Sequence, residues 1–399
     1  MIELLEISEA LLLLVLGVPL VYLATLTLLA LIMRGKRVAR ASTERRFALV
    51  VPAHNEQKGI LQTLESLKSI DYPPERREII VVADNCTDRT AAIAREAGVT
   101  VFERNDAENR GKGFALRWCF DRLVGEDPPR DAVVVVDADT EAGKNLLRVM
   151  NDYLELGARV IQCNDMVKPL PGAWSSEMTR LGFTLYNLVR PLGRTAFGGS
   201  AGLKGNGMCF TIPLLKHHPW RAYSRAEDLE YGLQLLVEGI PVTFAPEATI
   251  LATMPAEASH AESQRARWEG GRLPLIRKYW RPLLGRVFRK GSLVSMDALI
   301  ELFTPALVNM LALSVLFASL NLVLALTGPG RAAYFLAAWI ILVCLGLTHL
   351  FLGIYVSGDW SLFRLLVHLP RFIFWKILLY AKLLLRGKKT TEWVRTTRE

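Results

Sequence analysis

Ala132-Val-Val-Val-Val-Asp-Ala-Asp139 is the stretch on which the fold turns. Four consecutive valines that end in polar residues read as a strand buried on both faces. Such runs belong to parallel sheets covered by helices on each side. Two similar runs precede it, at 47–51, stopped by Pro52, and at 79–83. Helix-period segments at 58–70 and 87–97 alternate with them, a short strand is expected at 101–102, and a helix follows Gly113. The alternation predicts an α/β fold, a mainly parallel sheet with helices on both faces. Ligands of such sheets bind beyond the carboxyl ends of the strands. The polar residues gather there: Pro52, His54, Asn55 and Glu56 after the first run, Asp84 after the second, Asp137 and Asp139 after the third. Further on the pattern loosens into a strand at 159–163, a helical stretch at 174–192, a Gly-rich loop at 198–207 and a helix from Glu227.

The chain has 399 residues, and 51% of them are hydrophobic. Local runs explain the excess. Residues 11–33, 304–326 and 332–358 contain no Asp, Glu, Lys or Arg, and about 20 such residues cross a bilayer core roughly 30 Å thick. Three transmembrane helices are predicted. Glu3, Glu6 and Glu9 stand where a signal peptide carries positive charge, which favours an uncleaved anchor. Arg34, Lys36, Arg37 and Arg40 follow the first span and place the next residues in the cytoplasm by the positive-inside rule. Arg386, Lys388 and Lys389 return the far end to the same side.

The net charge of +9 is concentrated beside the membrane elements. Residues 265–290 hold nine Lys or Arg against one Glu, and residues 364–399 hold nine against two acids. The remainder of the chain is net acidic, so anionic lipid is the expected partner and nucleic acid is not. Cys86, Cys119, Cys163, Cys209 and Cys344 form no C-x-x-C pair and read as reduced thiols. The expected layout is an anchor at 1–40, a cytoplasmic domain at 41–270, interfacial amphipathic helices at 271–303, a transmembrane hairpin at 304–358 and a basic interfacial helix and tail at 359–399.

Asp137 and Asp139, at i and i+2 after a strand, point to one side. Two oxygen ligands with open positions suit Mg²⁺ or Mn²⁺ shared with substrate phosphates. Asp84 is placed to accept hydrogen bonds from a base or ribose, while Thr87 or Asp88 behind it suits a helix N-cap. His54 and Asn55 are of the types that form a metal or phosphate site, but read more readily as loop residues that support the nucleotide. Lys112, in Arg110-Gly-Lys-Gly113, offers a phosphate cradle without P-loop spacing, and a helix-entry turn accounts for it equally. Asp228, beside Glu227, is a candidate base for an alcohol, although acidic residues at a helix start are favourable in any case. In Gln264-Arg-Ala-Arg267-Trp268, Arg267 would neutralise a departing diphosphate and Trp268 offers a flat face to a sugar or lipid. An aromatic and basic membrane border explains the same residues.

Taken in order, Asp84, Asp137-x-Asp139, Glu227-Asp228 and Gln264-x-x-Arg267-Trp268 resemble the family 2 inverting glycosyltransferases, over residues 44–290. The similar branch includes cellulose, hyaluronan and chitin synthases, poly-N-acetylglucosamine synthases and ceramide glucosyltransferase. The loop Pro52-Ala-His-Asn-Glu56 resembles that family too. The resemblance implies a GT-A-like fold with a Rossmann-like nucleotide-sugar half, and a UDP-sugar donor whose base binds Asp84. It implies a diphosphate held through metal by Asp137 and Asp139, and Asp228 as the base. Gln264, Arg267 and Trp268 would shape the acceptor and leaving-group site, and the Gly205-Asn206-Gly207 loop would border the acceptor. In-line attack would convert an α-linked donor to a β-linked product.

The Gln-x-x-Arg-Trp cluster is commonest in processive enzymes, yet three helices hardly enclose a hydrated glycan. A polysaccharide synthase would need an oligomer or an export partner. Transfer of one or a few sugars to a lipid acceptor is the favoured expectation, in a bacterial inner membrane. A nucleotidyltransferase and a non-catalytic membrane scaffold are the other classes open to such a sequence. The first would need a second phosphate site, and the second leaves the acidic residues without a role.

Overall fold

Leu49 and Val51 bury their side chains on one face of a sheet, and Ala48 and Val50 on the other. This two-sided burial is what an uninterrupted apolar run encodes. In this computed structural model, residues 2–376 are described apart from 37, 128, 255–257 and 328–330; for 2, 3 and 258–269 the backbone alone is described.

The strands are β1 (Phe47–Ala53), β2 (Arg77–Asp84), β3 (Thr100–Arg104), β4 (Ala132–Val135), β5 (Thr140–Ala142), β6 (Val160–Val167), β7 (Met208–Thr211) and β8 (Thr243–Ala252). They form one sheet in the order β3-β2-β1-β4-β7-β6-β8-β5. The half from β3 to β4 is parallel, and β6 pairs in parallel with β8. β7 runs antiparallel to both β4 and β6, and β5 antiparallel to β8. The sheet is therefore mainly parallel with a mixed second half.

β1 does not stop at Pro52 but pairs with β2 as far as Ala53. The ladder to β4 ends at Val50 and Val135, closed by Val136 N–H donating to Val50 O at 3.0 Å. Residue 52 faces the same edge as residue 50, where β4 has already left, so the missing proline N–H deprives no partner.

The helices in chain order are α1 (Ile2–Met33), α2 (Ile60–Lys68), α3 (Thr90–Glu96), α4 (Lys112–Val124), α5 (Leu146–Glu155), α6 (Trp174–Phe183), α7 (Arg190–Thr195), α8 (Ile212–His217), α9 (Glu227–Val237), α10 (Ala258–Lys290), α11 (Leu293–Phe303), α12 (Leu307–Thr327), α13 (Ala332–Ser357) and α14 (Leu362–Leu365). α2, α3 and α5 cover one face of the sheet; α4, α8 and α9 cover the other. One turn of π-helix, Thr184–Val189, joins α6 to α7.

α1, α12 and α13 are long and apolar enough to cross a membrane. Exposed Leu14, Val18 and Val21 on α1, and Leu316, Leu320 and Leu324 on α12, form apolar outer surfaces suited to lipid. Inside the helix group, Asn321 Nδ2 and Trp339 Nε1 both donate to Glu9 Oε1, at 2.5 and 2.6 Å, which ties the three helices together. The helices also pack on the sheet domain. Ala30 of α1 and Leu350 and Ile354 of α13 share a core with Val50, Val82 and Val133 of the sheet and with Val189. Gly193 of α7 lies so close to α1 that a Cβ there would stand 2.1 Å from Leu26 O. Any side chain would push the two helices apart.

The amphipathic segment placed at 271–303 is the second half of α10, already helical from Ala258, followed by α11. α10 packs against α9 through Leu275, Tyr279 and Leu283, and Lys278 Nζ donates to Glu230 Oε1 at 2.7 Å. In the tail, α14 and the following turns are described as far as Lys376; the remainder, with Arg386, Lys388 and Lys389, lies outside the described residues.

Candidate active site

Asp137 and Asp139 sit in the connection from β4 to β5, beyond the end of the strand rather than on it. What orients them is a set of hydrogen bonds. Thr63 Oγ1 donates to Ala138 O at 2.8 Å, and Thr140 N–H donates to Thr63 Oγ1 at 3.1 Å. Asp137 N–H donates to Asn206 Oδ1 at 3.0 Å. Asn206, expected at the acceptor border, is only 3% exposed. Its amide also donates to Thr140 Oγ1 and Asp165 Oδ1, and its carbonyl accepts from Gln162 Nε2 at 2.7 Å. Its side chain holds the Asp137 loop in place.

Lys112, the first residue of α4, places Nζ 2.5 Å from both Asp137 Oδ1 and Gly205 O. Burial lowers its pKa, but Asp137, Glu227 and Asp228 outweigh burial and leave it raised. The helix-entry turn thus carries a cation into the cleft. Asp228, in the first turn of α9, lies against the same loop. A Cβ on Gly205, whose φ is +86°, would stand 3.2 Å from Asp228 Oδ2. Burial raises the pKa of Asp228, while the Leu229 backbone N–H and the charges of Lys112 and Lys204 draw it back. Asp137, Lys112, Gly205 and Asp228 therefore meet in one cleft, and Glu227 adds its field to it.

Asp165 carried no sequence signal beyond being one of three polar residues between Ile161 and Val167. It is 4% exposed, and burial holds its carboxyl well above the usual carboxylate range. The charges of Asp137 and Asp139 push it further the same way.

The loops after β1 and β2 interlock. Asn55 and Asn85 both adopt positive φ, at 56° and 51°. Asn55 Oδ1 accepts from Thr87 N–H at 2.7 Å, and Glu56 N–H donates to Thr90 Oγ1 at 2.8 Å. His54 Nδ1 lies 2.7 Å from Asp84 O, which makes it a brace between the two loops. Asp84 is 5% exposed, and its Oδ1 accepts from Arg104 Nη1 at 2.6 Å and Asn85 Nδ2 at 3.0 Å. Arg104, from the end of β3, was not singled out by sequence. It also pairs with Asp106, and both line a cavity of about 800 Å³ with Asn109, Phe114 and Trp118. Asp88 takes the N-cap-like role, its Oδ1 accepting from Thr90 N–H at 2.9 Å. Gln264, Arg267 and Trp268 fall on the backbone of α10, but their side chains lie outside the described residues.

Residues 45–271 match the family described as glycosyltransferase like family 2. The chain belongs to that family. Among glycosyltransferase relatives, a β-monoglucosyldiacylglycerol synthase of Synechocystis is 28% identical over 245 residues, covering 58% of this chain and 49% of that protein. A poly-β-1,6-N-acetyl-D-glucosamine synthase of Staphylococcus epidermidis is 24% identical, covering 58% and 56%. The chain spans about half the length of these relatives. Among solved structures, a mannosyltransferase of Pyrobaculum calidifontis, in complex with GDP-Man and Mn²⁺, has a TM-score of 0.57 at 17% identity. It covers 89% of this chain and 99% of that one, and the likeness is one of fold. The glycosyltransferase fold of this chain is thus GT-A-like, joined to three helices of membrane-spanning length.

Proposed function

We propose that this chain transfers a sugar from a nucleotide diphosphate sugar, with UDP as the expected carrier, to a lipid hydroxyl at the cytoplasmic face of a bacterial inner membrane. The observation that carries this reading is the meeting of Asp228, Lys112, Asp137 and the Gly205 backbone in one cleft. The packing of that domain on α1 and α13 supports a membrane-borne acceptor.

In this reading Asp228 takes the proton of the acceptor hydroxyl as its oxygen attacks the anomeric carbon. The bond from that carbon to the diphosphate oxygen breaks on the opposite side, so an α-linked donor gives a β-linked product. Lys112 meets the negative charge that develops on the diphosphate. Gln264, Arg267 and Trp268 are assigned to the leaving group and acceptor.

The residues present suit Mg²⁺ or Mn²⁺. The charges of Asp137 and Asp139 both reach Asp165, which gathers the carboxyl oxygens of the D-x-D pair in one region, the hard donors that a divalent cation takes. Among the described residues no three His, Cys, Asp or Glu side chains form a ready cage. Asp137 and Asp139 would therefore hold an ion whose shell the donor phosphates and water complete. When bound, such an ion neutralises diphosphate charge and favours its departure.

The test is release of nucleotide diphosphate by the purified full chain across UDP- and GDP-sugars, with Mg²⁺ or Mn²⁺, with and without membrane lipid. Release that Asp228→Asn abolishes supports the reading. Release that yields long polymer without added lipid would replace it with a polysaccharide synthase working with a partner or as an oligomer. Release unchanged in Asp228→Asn would remove Asp228 from its role.

A further inference from the structure

Beside Asp228 lies a cluster of basic side chains that transfer chemistry alone does not explain. Tyr186 stands on the π-helical turn and Arg190 one turn further on. Lys204 Nζ is 3.6 Å from the centre of the Tyr186 ring, and the Arg190 guanidinium is 5.1 Å from it. Lys204 draws the Tyr186 hydroxyl below its ordinary pKa, against the opposing effect of burial. Arg190 Nη1 meets Glu301 Oε1 at 3.2 Å, and Arg272 of α10 donates to the Glu301 and Leu302 carbonyls.

The charges do not balance. Burial would raise Glu301, but Arg190, Arg194, Arg272 and Lys204 outweigh it and keep the carboxylate charged. That carboxylate pairs with Arg190, and Arg194 pairs with Asp297 at 2.6 Å. Among the described residues, Lys204 and Arg272 form no ion pair. Arg190 is 6% exposed, and among the described residues neither its Nε nor Glu301 Oε2 has a hydrogen-bond partner. Buried guanidinium hydrogens of this kind need an acceptor. Lys204 and Tyr186 are only half-buried, and the Lys204 charge reaches Asp228 in the cleft.

The position of the cluster at the ends of the long apolar helices points to what fills it. Glu301 lies three residues before Thr304, just ahead of α12, and α7 packs on the last third of α1. Gly353, four residues before the end of α13, abuts Leu185 and Val189 on either side of Tyr186, so a bilayer border at these helix ends would bring lipid phosphates to the cluster. We propose that Tyr186, Arg190, Lys204 and Arg272 bind the phosphate of a membrane lipid next to the acceptor hydroxyl. The proposal rests on the transferase reading and narrows its acceptor side. The phosphate belongs either to the acceptor itself or to a neighbouring lipid that completes the site.

The test titrates the full chain, in neutral detergent, with dihexanoyl phosphatidic acid and with dihexanoylglycerol, and runs the donor-turnover assay in parallel. Wild type is expected to bind the phosphate lipid at least about tenfold tighter, the scale of one or two charge-assisted hydrogen bonds. Lys204→Gln and Arg190→Gln should each lose that preference, while Arg289→Gln at the exposed end of α10 keeps it. UDP binding retained in Lys204→Gln shows that the nucleotide side is intact. Mass analysis of the lipid after turnover separates the two sources: a glycosylated phosphate lipid is the acceptor, and a faster reaction on another lipid marks a neighbour. Equal binding of the two lipids, or a preference that survives Lys204→Gln, overturns the proposal even where donor turnover is normal. Phosphate preference without any donor turnover upholds the phosphate site and counts against the transferase reading.

Discussion

Lys112 Nζ bridges Asp137 Oδ1 and the Gly205 carbonyl at 2.5 Å each, so one ammonium joins the loop after β4 to the loop before β7. These loops belong to the parallel and the mixed half of the sheet respectively. The lysine therefore both closes the cleft and charges it.

Replacing Lys112 with Met should reduce turnover about 100-fold, as loss of a preorganised electrostatic donor does. Circular dichroism melting in detergent should shift little by comparison. Turnover within a few-fold of wild type would show that Lys112 only braces the loops.

Asp228 must be ionised to act as a base, and burial raises its pKa. The rate should fall as pH drops through that raised value. Lys112 and Lys204 favour the ionised form, so Lys204→Gln should move the acidic limb of the pH–rate profile to higher pH. A limb that stays in place, or moves to lower pH, would detach Lys204 from the base.

Gly205→Ala should abolish most activity while leaving the fold intact. Its φ of +86° strains any side chain by about 1–2 kcal/mol, and the new Cβ presses on Asp228 Oδ2. The measurement is kcat on the donor, with UDP binding as the control that the nucleotide half persists.

Glu301→Gln leaves Arg190 buried without its countercharge and should cost about 3–5 kcal/mol. The folded pKa of Glu301 lies below its unfolded value. Its contribution is therefore full above the unfolded carboxylate pKa of about 4.3 and is lost as pH falls through the folded value. Thermal unfolding of wild type and variant should differ at pH 7 and converge in acid. Equal melting temperatures at pH 7 would show that the pair contributes nothing.

The nucleotide half was legible because its signals are local. Four valines announce β4, and the polar residues after each early strand gather at one end of the sheet. β8 gives no such signal: Thr243–Ala252 contains Pro246 and Glu247, and β6 is bulged between Cys163 and Asn164 where the two strands run together. β7, four residues long behind a Gly-rich loop, is too short to show a period. The roles of Asn206 and Arg104 were hidden for a different reason. Each is set by a hydrogen bond to a distant residue, Asn206 to Asp137 and Arg104 to Asp84. Arg190 and Glu301 are 111 positions apart and meet only because α7 and α11 are both held against α1. Three apolar runs mark the membrane helices, but no run shows that they share a core with the sheet.

That shared core acts as a ruler. Tyr22 of α1 donates to Asp297 of α11 at 2.7 Å, Arg194 of α7 holds the same carboxylate, and Ala30 and Ile354 abut the sheet's own interior. With α1, α12 and α13 across a bilayer, a cleft packed on them in this way would stand at a set elevation above it. On the proposed transfer to a lipid hydroxyl, substrates would then be sorted by the reach of their headgroups: a hydroxyl that rises to the level of Asp228 would be served, and one that stays among the acyl chains would be passed over.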